Sequence, residues 1–363
     1  MIKTVVAALL VPFATVSATP PVIAVNTPQP VSERSLIAWD PGEIRCEGAI
    51  VTPAFLERPM ASLSWVGPAK AAALTYAFDI DPSGRTMNIR KAPADARAIG
   101  ADDIAPSLAA SRFAAGKGHS DCTMAYTQRQ TSLAAAPLAD LTAYSVNAIS
   151  GPLPKEAWER MQSESDCRDV RALGLKNRAF PNFQGIASTP GVRNWSMVEY
   201  DIADNGVTKN IRTVAGTRNA ALDAASRKAV EQTRYYKGGR KGCRYPYWRS
   251  PATLPAPLAP EEDAFRPAGS TCTDRVEWSV PPRSRFPEPY RRRAIEGWAV
   301  VSYDVAPWGE VSNIKVLASQ PTEDFGTQAI SVVRGGKVAA PQGFVGCAEL
   351  VRFEMGPGEE DNK

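Results

Sequence analysis

Three short stretches of the chain alternate large apolar residues with small or polar ones. In the first, every second residue from Leu74 to Ile80 is large and apolar, and residues 198–202 and 301–305 repeat the pattern. A period of two residues is typical of a β-strand that buries one face. Each stretch is therefore predicted to be a half-buried strand.

A turn follows each of these strands, and the three turns share their spacing. An aspartate near the strand end is followed five residues later by glycine and nine residues later by asparagine. The aspartates are Asp79, Asp201 and Asp304, the glycines Gly84, Gly206 and Gly309, and the asparagines Asn88, Asn210 and Asn313. Because glycine tolerates a positive φ, the spacing predicts three β-hairpins with these glycines as structural turn residues.

A short helix is predicted after each hairpin, followed by one more strand. In the second copy Asn219 or Asp223 can begin the helix, and apolar residues recur at helical spacing in all three copies. These residues are Ile104 and Leu108, then Leu222, Ala225 and Ala229, then Phe325, Ala329 and Val333. Each copy is therefore predicted to be an α+β module with a three-stranded antiparallel sheet and helices.

The six cysteines form three evenly spaced pairs. The members of a pair are separated by 76, 76 and 75 residues, and the pairs are Cys46 and Cys122, Cys167 and Cys243, and Cys272 and Cys347. Six cysteines allow 15 pairings, and the repeat favours this one. We therefore expect one disulfide per module, with free buried thiols as the alternative.

These patterns divide the chain into a tandem array. The predicted order is signal peptide 1–18, Pro-rich linker 19–45, module 46–130, partly helical linker 131–166, module 167–250, Pro-rich linker 251–271, module 272–356 and acidic tail 357–363. Pro-rich segments of this kind are semi-rigid spacers.

The N-terminus has the features of a secretory signal. Lys3 is followed by an apolar stretch and by the small-residue cleavage site Val16-Ser17-Ala18. Cleavage would place the protein in the periplasm, an oxidising compartment in which cysteines pair. The alternative is an uncleaved inner-membrane anchor within residues 4–25, although Pro12 and Pro20 interrupt that stretch.

The composition gives little evidence for catalysis, metal binding or nucleic-acid binding. The chain is 44% hydrophobic and 22% charged, with a net charge of +4, which is too weak to indicate nucleic-acid binding. Its single histidine excludes sites that need several histidines within one chain, and no phosphate-binding glycine motif is present. We therefore expect no enzymatic activity, no cofactor and no metal.

The spacing of Asp79, Asp81 and Ser83 is similar to the start of a calcium-binding loop. That loop needs a glutamate at its twelfth position, where this chain has Arg90, so a hairpin turn is the better interpretation.

Two basic clusters have surface solvation as their simplest explanation, with anionic envelope polymers as the alternative. The first combines cations with aromatic residues and the second opens a short helix. They are Lys237, Arg240, Lys241, Arg244, Tyr245, Tyr247 and Trp248, and Arg291, Arg292 and Arg293.

The third copy resembles a known family. Its Phe286-Pro287 pair, Ala294, the Glu296-Gly297 step before a strand and the later Asn313 follow the order of the TonB C-terminal domain. The resemblance covers residues 280–355, whereas the first two copies match through the hairpin and closing strand and lack the Glu-Gly step. TonB is a periplasmic energy transducer of Gram-negative bacteria.

The resemblance implies protein binding without catalysis. In that family the last strand is a sheet edge that pairs with an extended peptide of an outer-membrane receptor, a binding mode known as β-augmentation. On this chain the edge would comprise Ala348, Glu349, Leu350, Val351, Arg352, Phe353, Glu354 and Met355. The alternative is a core strand whose edge is covered by a neighbouring module.

Departures from the family leave three functions open. The expected function is an exported envelope protein that binds a protein partner, with membrane association only if the N-terminus stays uncleaved. The alternatives are an anchored energy transducer and a structural or cell-wall-binding periplasmic protein. A transducer needs a long spacer, and the 19–45 segment extends only about 80 Å as polyproline II.

Overall fold

The fold is known for most of the chain after residue 33. A computed structural model describes residues 34–65, 72–93, 98–167, 174–273, 276–339 and 342–356. The predicted signal peptide 1–18, the linker up to residue 33 and the acidic tail 357–363 lie outside these ranges. Within them, no helix is both long enough and apolar enough to cross a membrane.

The protein is α+β, with small antiparallel sheets and short helices. The first unit, residues 35–132, contains β1 (Ser35–Cys46), β2 (Ala49–Ile50), β3 (Ser62–Ser64), β4 (Leu74–Ile80), β5 (Thr86–Lys91), α1 (Ile104–Ala110) and β6 (His119–Ser132). Its strand order is β2-β1-β6-β4-β5, and β3 also pairs with β1. The alternation seen in the sequence of β4 matches its burial, because every second side chain is buried.

Strand β1 lies within the segment that the sequence placed in a Pro-rich linker. It pairs antiparallel with β6 from Ser35↔Ser132 to Cys46↔Cys122. Its side chains are buried on both faces: Leu36 joins one hydrophobic core while Ile37 and Trp39 join another. The predicted three-stranded sheet is therefore too small for the first unit. The sequence did not reveal β1, because a strand that is buried on both faces does not alternate apolar and polar residues.

The middle of the chain carries two helices before its sheet. They are α2 (Leu138–Val146) and α3 (Lys155–Met161), and the second unit, residues 167–249, then contains β7 (Leu175–Asn177), the 3₁₀ turn Phe183–Gly185, β8 (Asn194–Ile202), β9 (Thr208–Gly216), α4 (Ala220–Gln232), β10 (Arg234–Tyr235) and β11 (Arg240–Arg249). The order of the main sheet is β11-β8-β9, and β10 pairs with β7.

Residues 131–166, predicted as a partly helical linker, form a packed layer. Leu141, Tyr144 and Met161 share a hydrophobic core with Leu36 of β1 and Trp195 of β8. The helices therefore fill the space between the first and second units.

The third unit, residues 272–355, repeats the order of the second. It contains β12 (Trp278–Val280), α5 (Glu288–Arg292), β13 (Gly297–Val305), β14 (Val311–Gln320), α6 (Glu323–Arg334), β15 (Lys337–Val338) and β16 (Phe344–Phe353), preceded by the 3₁₀ turn Glu262–Phe265. The order of its main sheet is β14-β13-β16, and β12 pairs with β15.

The first and third units form one body, because a single hydrophobic core contains residues of both. The Ile89 N–H of β5 donates to the Pro321 carbonyl at 2.9 Å, just before α6. The Lys91 N–H donates to Glu323 Oε1 at 2.8 Å. The end of β5 is therefore joined to the third unit by main-chain and side-chain hydrogen bonds.

The Pro-rich segment 251–271, expected to be a spacer, packs against the third unit. Leu254 is buried and bridges to Ile295 in parallel. The Pro257 carbonyl accepts a hydrogen bond from the Trp298 indole at 2.9 Å, and the Pro255 carbonyl accepts one from Arg85 at 2.7 Å. Although prolines lack an N–H, their carbonyls still accept, so an extended Pro-rich segment can pack in place.

Candidate functional site

Each disulfide joins a cysteine near the start of its unit to the closing strand, and in the first unit that cysteine, Cys46, is the last residue of β1. The bonds are Cys46–Cys122, Cys167–Cys243 and Cys272–Cys347, which is the predicted pairing. In the third unit the bond holds the segment before β12 against β16. The position of β16 relative to the rest of the unit is therefore covalently restrained.

Asp304 connects the hairpin of the third unit to β16. Asn313 Nδ2 donates to Asp304 Oδ2 at 2.7 Å, and the Gly346 N–H donates to Asp304 Oδ1 at 2.8 Å. The bond from Asn313, together with that from Gly346, lowers the pKa of Asp304 below its ordinary value. Both donors have positive φ, +50° at Asn313 and +70° at Gly346. The Asp–Asn spacing in the sequence is thus the spacing of a side-chain clamp.

The same clamp is present in the other two units. The asparagine-to-aspartate distance is 2.7 Å in both, and the main-chain donor is again the residue before the closing cysteine. The bonds run from Asn88 and the Asp121 N–H to Asp79, the latter at 3.1 Å, and from Asn210 and the Gly242 N–H to Asp201, the latter at 2.8 Å. The three units therefore share one local geometry.

The turn glycines approach a neighbouring main chain closely. Gly309 has a φ of +87°, and a Cβ there would lie 2.2 Å from the Val338 carbonyl oxygen of β15. The Val338 N–H donates to the Gly309 carbonyl at 2.9 Å. Gly84 and Gly206 make the same approach, with φ values of +84° and +80°. A side chain at these positions would separate the hairpin from the segment that follows the helix.

Strand β16 forms the end of its sheet and is anchored at both ends. At its start, the Val345 N–H donates to Thr271 Oγ1 at 2.9 Å, and the Thr271 N–H donates to the Val345 carbonyl at 3.0 Å. After its last residue, the Met355 N–H donates to Glu296 Oε1 at 2.8 Å. A Cβ at Gly297 would lie 2.5 Å from the ring of Phe325. Glu296 thus holds the end of β16, and the absence of a side chain at Gly297 leaves room for the Phe325 ring.

The predicted binding residues occupy most of β16 and two positions beyond it. Ala348 and Phe353 are buried, while Arg352 and Glu354 are exposed. The remaining four are partly buried: Glu349, Leu350, Val351 and Met355. The 3₁₀ turn Glu262–Phe265 lies against β16. Part of the strand therefore contacts the Pro-rich segment, and β13 pairs along the opposite side from Gly297↔Phe353 to Ser302↔Ala348.

This geometry coincides with a match to a known family. Residues 282–348 match the family model described as Gram-negative bacterial TonB protein C-terminal. The third unit contains a TonB C-terminal domain. The chain is also similar to Protein TonB of Klebsiella pneumoniae, with 27% identity over 106 residues, which are 29% of this chain and 40% of that protein. The family match lies in the third unit, and the chain aligns with about two-fifths of the length of the relative.

The basic clusters are less exposed than the sequence suggested. Arg293 is fully buried, and Arg244 is only 8% exposed at its side chain. Arg244 pairs with Glu199 at 2.9 Å and with Glu164 at 3.2 Å. Both arginines therefore belong to ion-pair networks, so neither contributes to a basic patch on the protein surface.

Sequence reasoning missed the partners of Arg293. Its Nε donates to Asp103 Oδ1 at 2.8 Å, its Nη1 to Glu57 Oε1 at 2.9 Å, and its Nη2 to the Arg58 carbonyl at 3.0 Å. No spacing pattern in the sequence connects residues that lie so far apart.

The Asp81 carboxylate, which the sequence suggested as a calcium ligand, instead stabilises a turn by accepting hydrogen bonds from the Ser83 and Arg85 N–H groups. Among the described residues, no acidic, histidine or cysteine cluster could hold a metal.

Proposed function

We propose that this TonB-related chain is an exported, periplasmic envelope protein that binds a protein partner along β16. The partner contributes an extended peptide, such as one from an outer-membrane receptor, which adds to the sheet as a further strand. Main-chain hydrogen bonds supply affinity in this mode, and alternate side chains supply specificity. Binding of this kind uses no cofactor and no catalytic group.

The observation that carries the proposal is the position of β16 in the domain that matches the family. In the order β14-β13-β16, β16 is the last strand, and among the described residues no further strand lies beyond it. A peptide that pairs along residues 348–355 has to displace the 3₁₀ turn Glu262–Phe265. The β13–β16 ladder does not involve this turn, so the pairing can persist when the turn is displaced.

The first unit supports this choice by contrast. Its closing strand β6 corresponds to β16, because each carries the second cysteine of its pair. The outer side of β6 is filled by β1 over the register Ser35↔Ser132 to Cys46↔Cys122. A partner peptide could pair there only by expelling a strand whose apolar side chains are buried. The first unit is therefore closed to the proposed mode of binding. Strand β11 of the second unit also ends its sheet, and the family match favours the third unit as the contact module.

We also infer that the three units are copies of one module. The clamp from asparagine to aspartate, the left-handed residue before the closing cysteine and the turn glycine recur in each. The copies have diverged in what lies beside the closing strand. Among the described residues, a full strand occupies that place only in the first unit.

Proline substitutions in β16 test the proposal directly. Adjacent N–H groups of a strand point alternately to the two sides, so either Leu350→Pro or Val351→Pro spares the β13 ladder while removing an outward donor. Binding is measured by calorimetry with a synthetic peptide copying the periplasmic N-terminal segment of an outer-membrane receptor from the same genome. We expect the variant that remains folded to lose at least about tenfold in affinity, or 1.4 kcal/mol.

Leu317→Pro is the matched control. Leu317 lies at the register shift of β14, on the opposite edge of the same sheet, and bulged positions tolerate proline. Its affinity should equal that of the native chain. Equal affinity in the folded β16 variant would exclude edge pairing.

The family match also favours energy transduction as a second function. That function requires an inner-membrane anchor, and residues 4–25 could provide it only if they are retained. The intact mass of the protein recovered from the cell envelope, before and after reduction, distinguishes the two. Loss of residues 1–18 together with a gain of about 6 Da on reduction supports the exported form with three disulfides. A retained N-terminus supports the transducer.

A further inference from the structure

A cavity of about 920 Å³ lies between the first and second units, beside α2. Its walls include the aromatic side chains of Trp39, Phe55 and Trp195. This volume is in the range of sites that bind small molecules between domains. None of its lining residues belongs to the third unit, so the cavity is separate from the β16 edge.

Most charges around the cavity are already neutralised. Arg129 pairs with Asp40 at 2.8 Å and with Asp140 at 2.9 Å, and Arg58 also pairs with Asp40. The Glu57 carboxylate pairs with Arg293 at 2.9 Å. With Asp103, which also pairs with Arg293, the set contains three arginines and four carboxylates, and each of these groups is already engaged in an ion pair.

Arg193 and Arg218 are the exceptions. Arg193 is partly buried, and its Nη1 donates to the Val146 carbonyl at 3.0 Å. Its Nε is enclosed and has no acceptor, and no described carboxylate forms an ion pair with it. Arg218, exposed and with a φ of +61°, forms neither an ion pair nor a hydrogen bond within the described part of the chain. Two positive charges at this cavity therefore lack an anion.

Local pairing holds the two arginines at the same end of the β8–β9 hairpin. The Thr217 N–H donates to the Trp195 carbonyl at 3.0 Å, and the Trp195 N–H donates to Thr217 Oγ1 at 3.0 Å. These bonds continue the ladder by one pair, so the residues that follow Thr217 lie opposite those that precede Trp195. Both arginines line the cavity from this end.

We propose that the cavity binds a small molecule with a carboxylate or phosphate group, and that Arg193 and Arg218 hold that group. Guanidinium groups bind both oxyanions by charge-assisted hydrogen bonds. The bond from Arg193 Nη1 to the Val146 carbonyl fixes the orientation of this guanidinium at the cavity wall. The aromatic walls contact the apolar body of the ligand.

Three probes test this site on the full chain: inorganic phosphate, a tripeptide with a free C-terminal carboxylate, and the same tripeptide as its amide. Binding is followed by calorimetry and by the ¹⁵N-labelled arginine Nε–H signals. We expect saturable binding of phosphate or of the free tripeptide, and which of them binds identifies the oxyanion. The amide should bind at least about tenfold more weakly than the free tripeptide.

The variants Arg193→Gln and Arg218→Gln should each weaken the binding at least about tenfold. Arg334→Gln, an equal charge change at the exposed end of α6, should leave it unchanged. Arg218 forms no ion pair and no hydrogen bond with the described residues, so its variant remains informative if Arg193→Gln unfolds. No saturation by either anion at millimolar concentration would overturn the proposal, as would unchanged binding in Arg218→Gln. If the free tripeptide binds, equal binding of its amide would also overturn it.

Discussion

Arg293 shows how one residue can tie distant parts of the chain together. It belongs to the third unit, its acidic partners Asp103 and Glu57 belong to the first, and its Nη1 also donates to the Gly191 carbonyl of the second at 3.3 Å. In the sequence it is the last of three consecutive arginines, and nothing distinguishes it from its neighbours. Only the packing of the units separates the buried arginine from the exposed Arg291.

The first prediction concerns this buried network. Arg293→Gln leaves the Asp103 carboxylate, which is completely buried, without its cation. Loss of one partner of a buried ion pair costs about 3–5 kcal/mol. We expect that decrease in the free energy of unfolding measured in urea.

Arg291→Gln is the matched control two residues away. Arg291 is exposed, and its one ion pair within the described residues is with Glu288 of its own helix. Its substitution should change stability by no more than about 0.5 kcal/mol. Equal effects of the two variants would show that the Arg293 network does not stabilise the fold.

At the scale of elements, local pattern predicted the hairpins, the helices and the closing strands. Asn219 begins α4 as expected, with its side chain accepting from the Leu222 N–H at 3.0 Å. Phe325, Ala329 and Val333 are buried on one side of α6. These features depend on residues that are close in sequence, so they can be predicted from the local sequence pattern.

Features that depend on distant partners could not be predicted in this way. Strand β1 is buried on both faces by residues far along the chain, such as Trp195 in the core that contains Leu36, and its alternation is lost. The packing of residues 251–271 likewise depends on hydrogen-bond donors and apolar surfaces of other elements, such as the Trp298 indole and Arg85. For the candidate site, the sequence suggested the β16 residues through the family resemblance, but not the 3₁₀ turn that lies against them.

Another prediction concerns the contact between the hairpin and the segment after the helix. Gly309→Ala places a Cβ 2.2 Å from the Val338 carbonyl oxygen at a φ of +87°. Gly269→Ala has nearly the same φ, +84°, with no atom within 4 Å of the added Cβ. The control should cost about 1–2 kcal/mol through the left-handed backbone alone.

Gly309→Ala should cost clearly more than Gly269→Ala, because the two main chains must also move apart. Thermal unfolding of both variants measures the difference. Equal losses would mean that the turn glycine is required only for its φ and that the approach to Val338 is not important.

For the whole molecule, the shared core and the Pro-rich segment make the first and third units one body. Independent modules on flexible linkers would gain avidity from the linkage. Here the first unit supports the third instead, and its own closing strand is filled by β1. The arrangement leaves β16 as the outer strand on which the proposed function depends.

The most direct test of that account is amide hydrogen exchange on the full chain, with and without the receptor peptide. We predict that the peptide increases protection of residues 348–355 and leaves that of Thr123–Thr131 in β6 unchanged, because β1 already covers β6. Exchange within residues 262–265 should rise as that turn is displaced. Protection that appeared on β6, or a bound peptide that left residues 348–355 unprotected, would contradict the account.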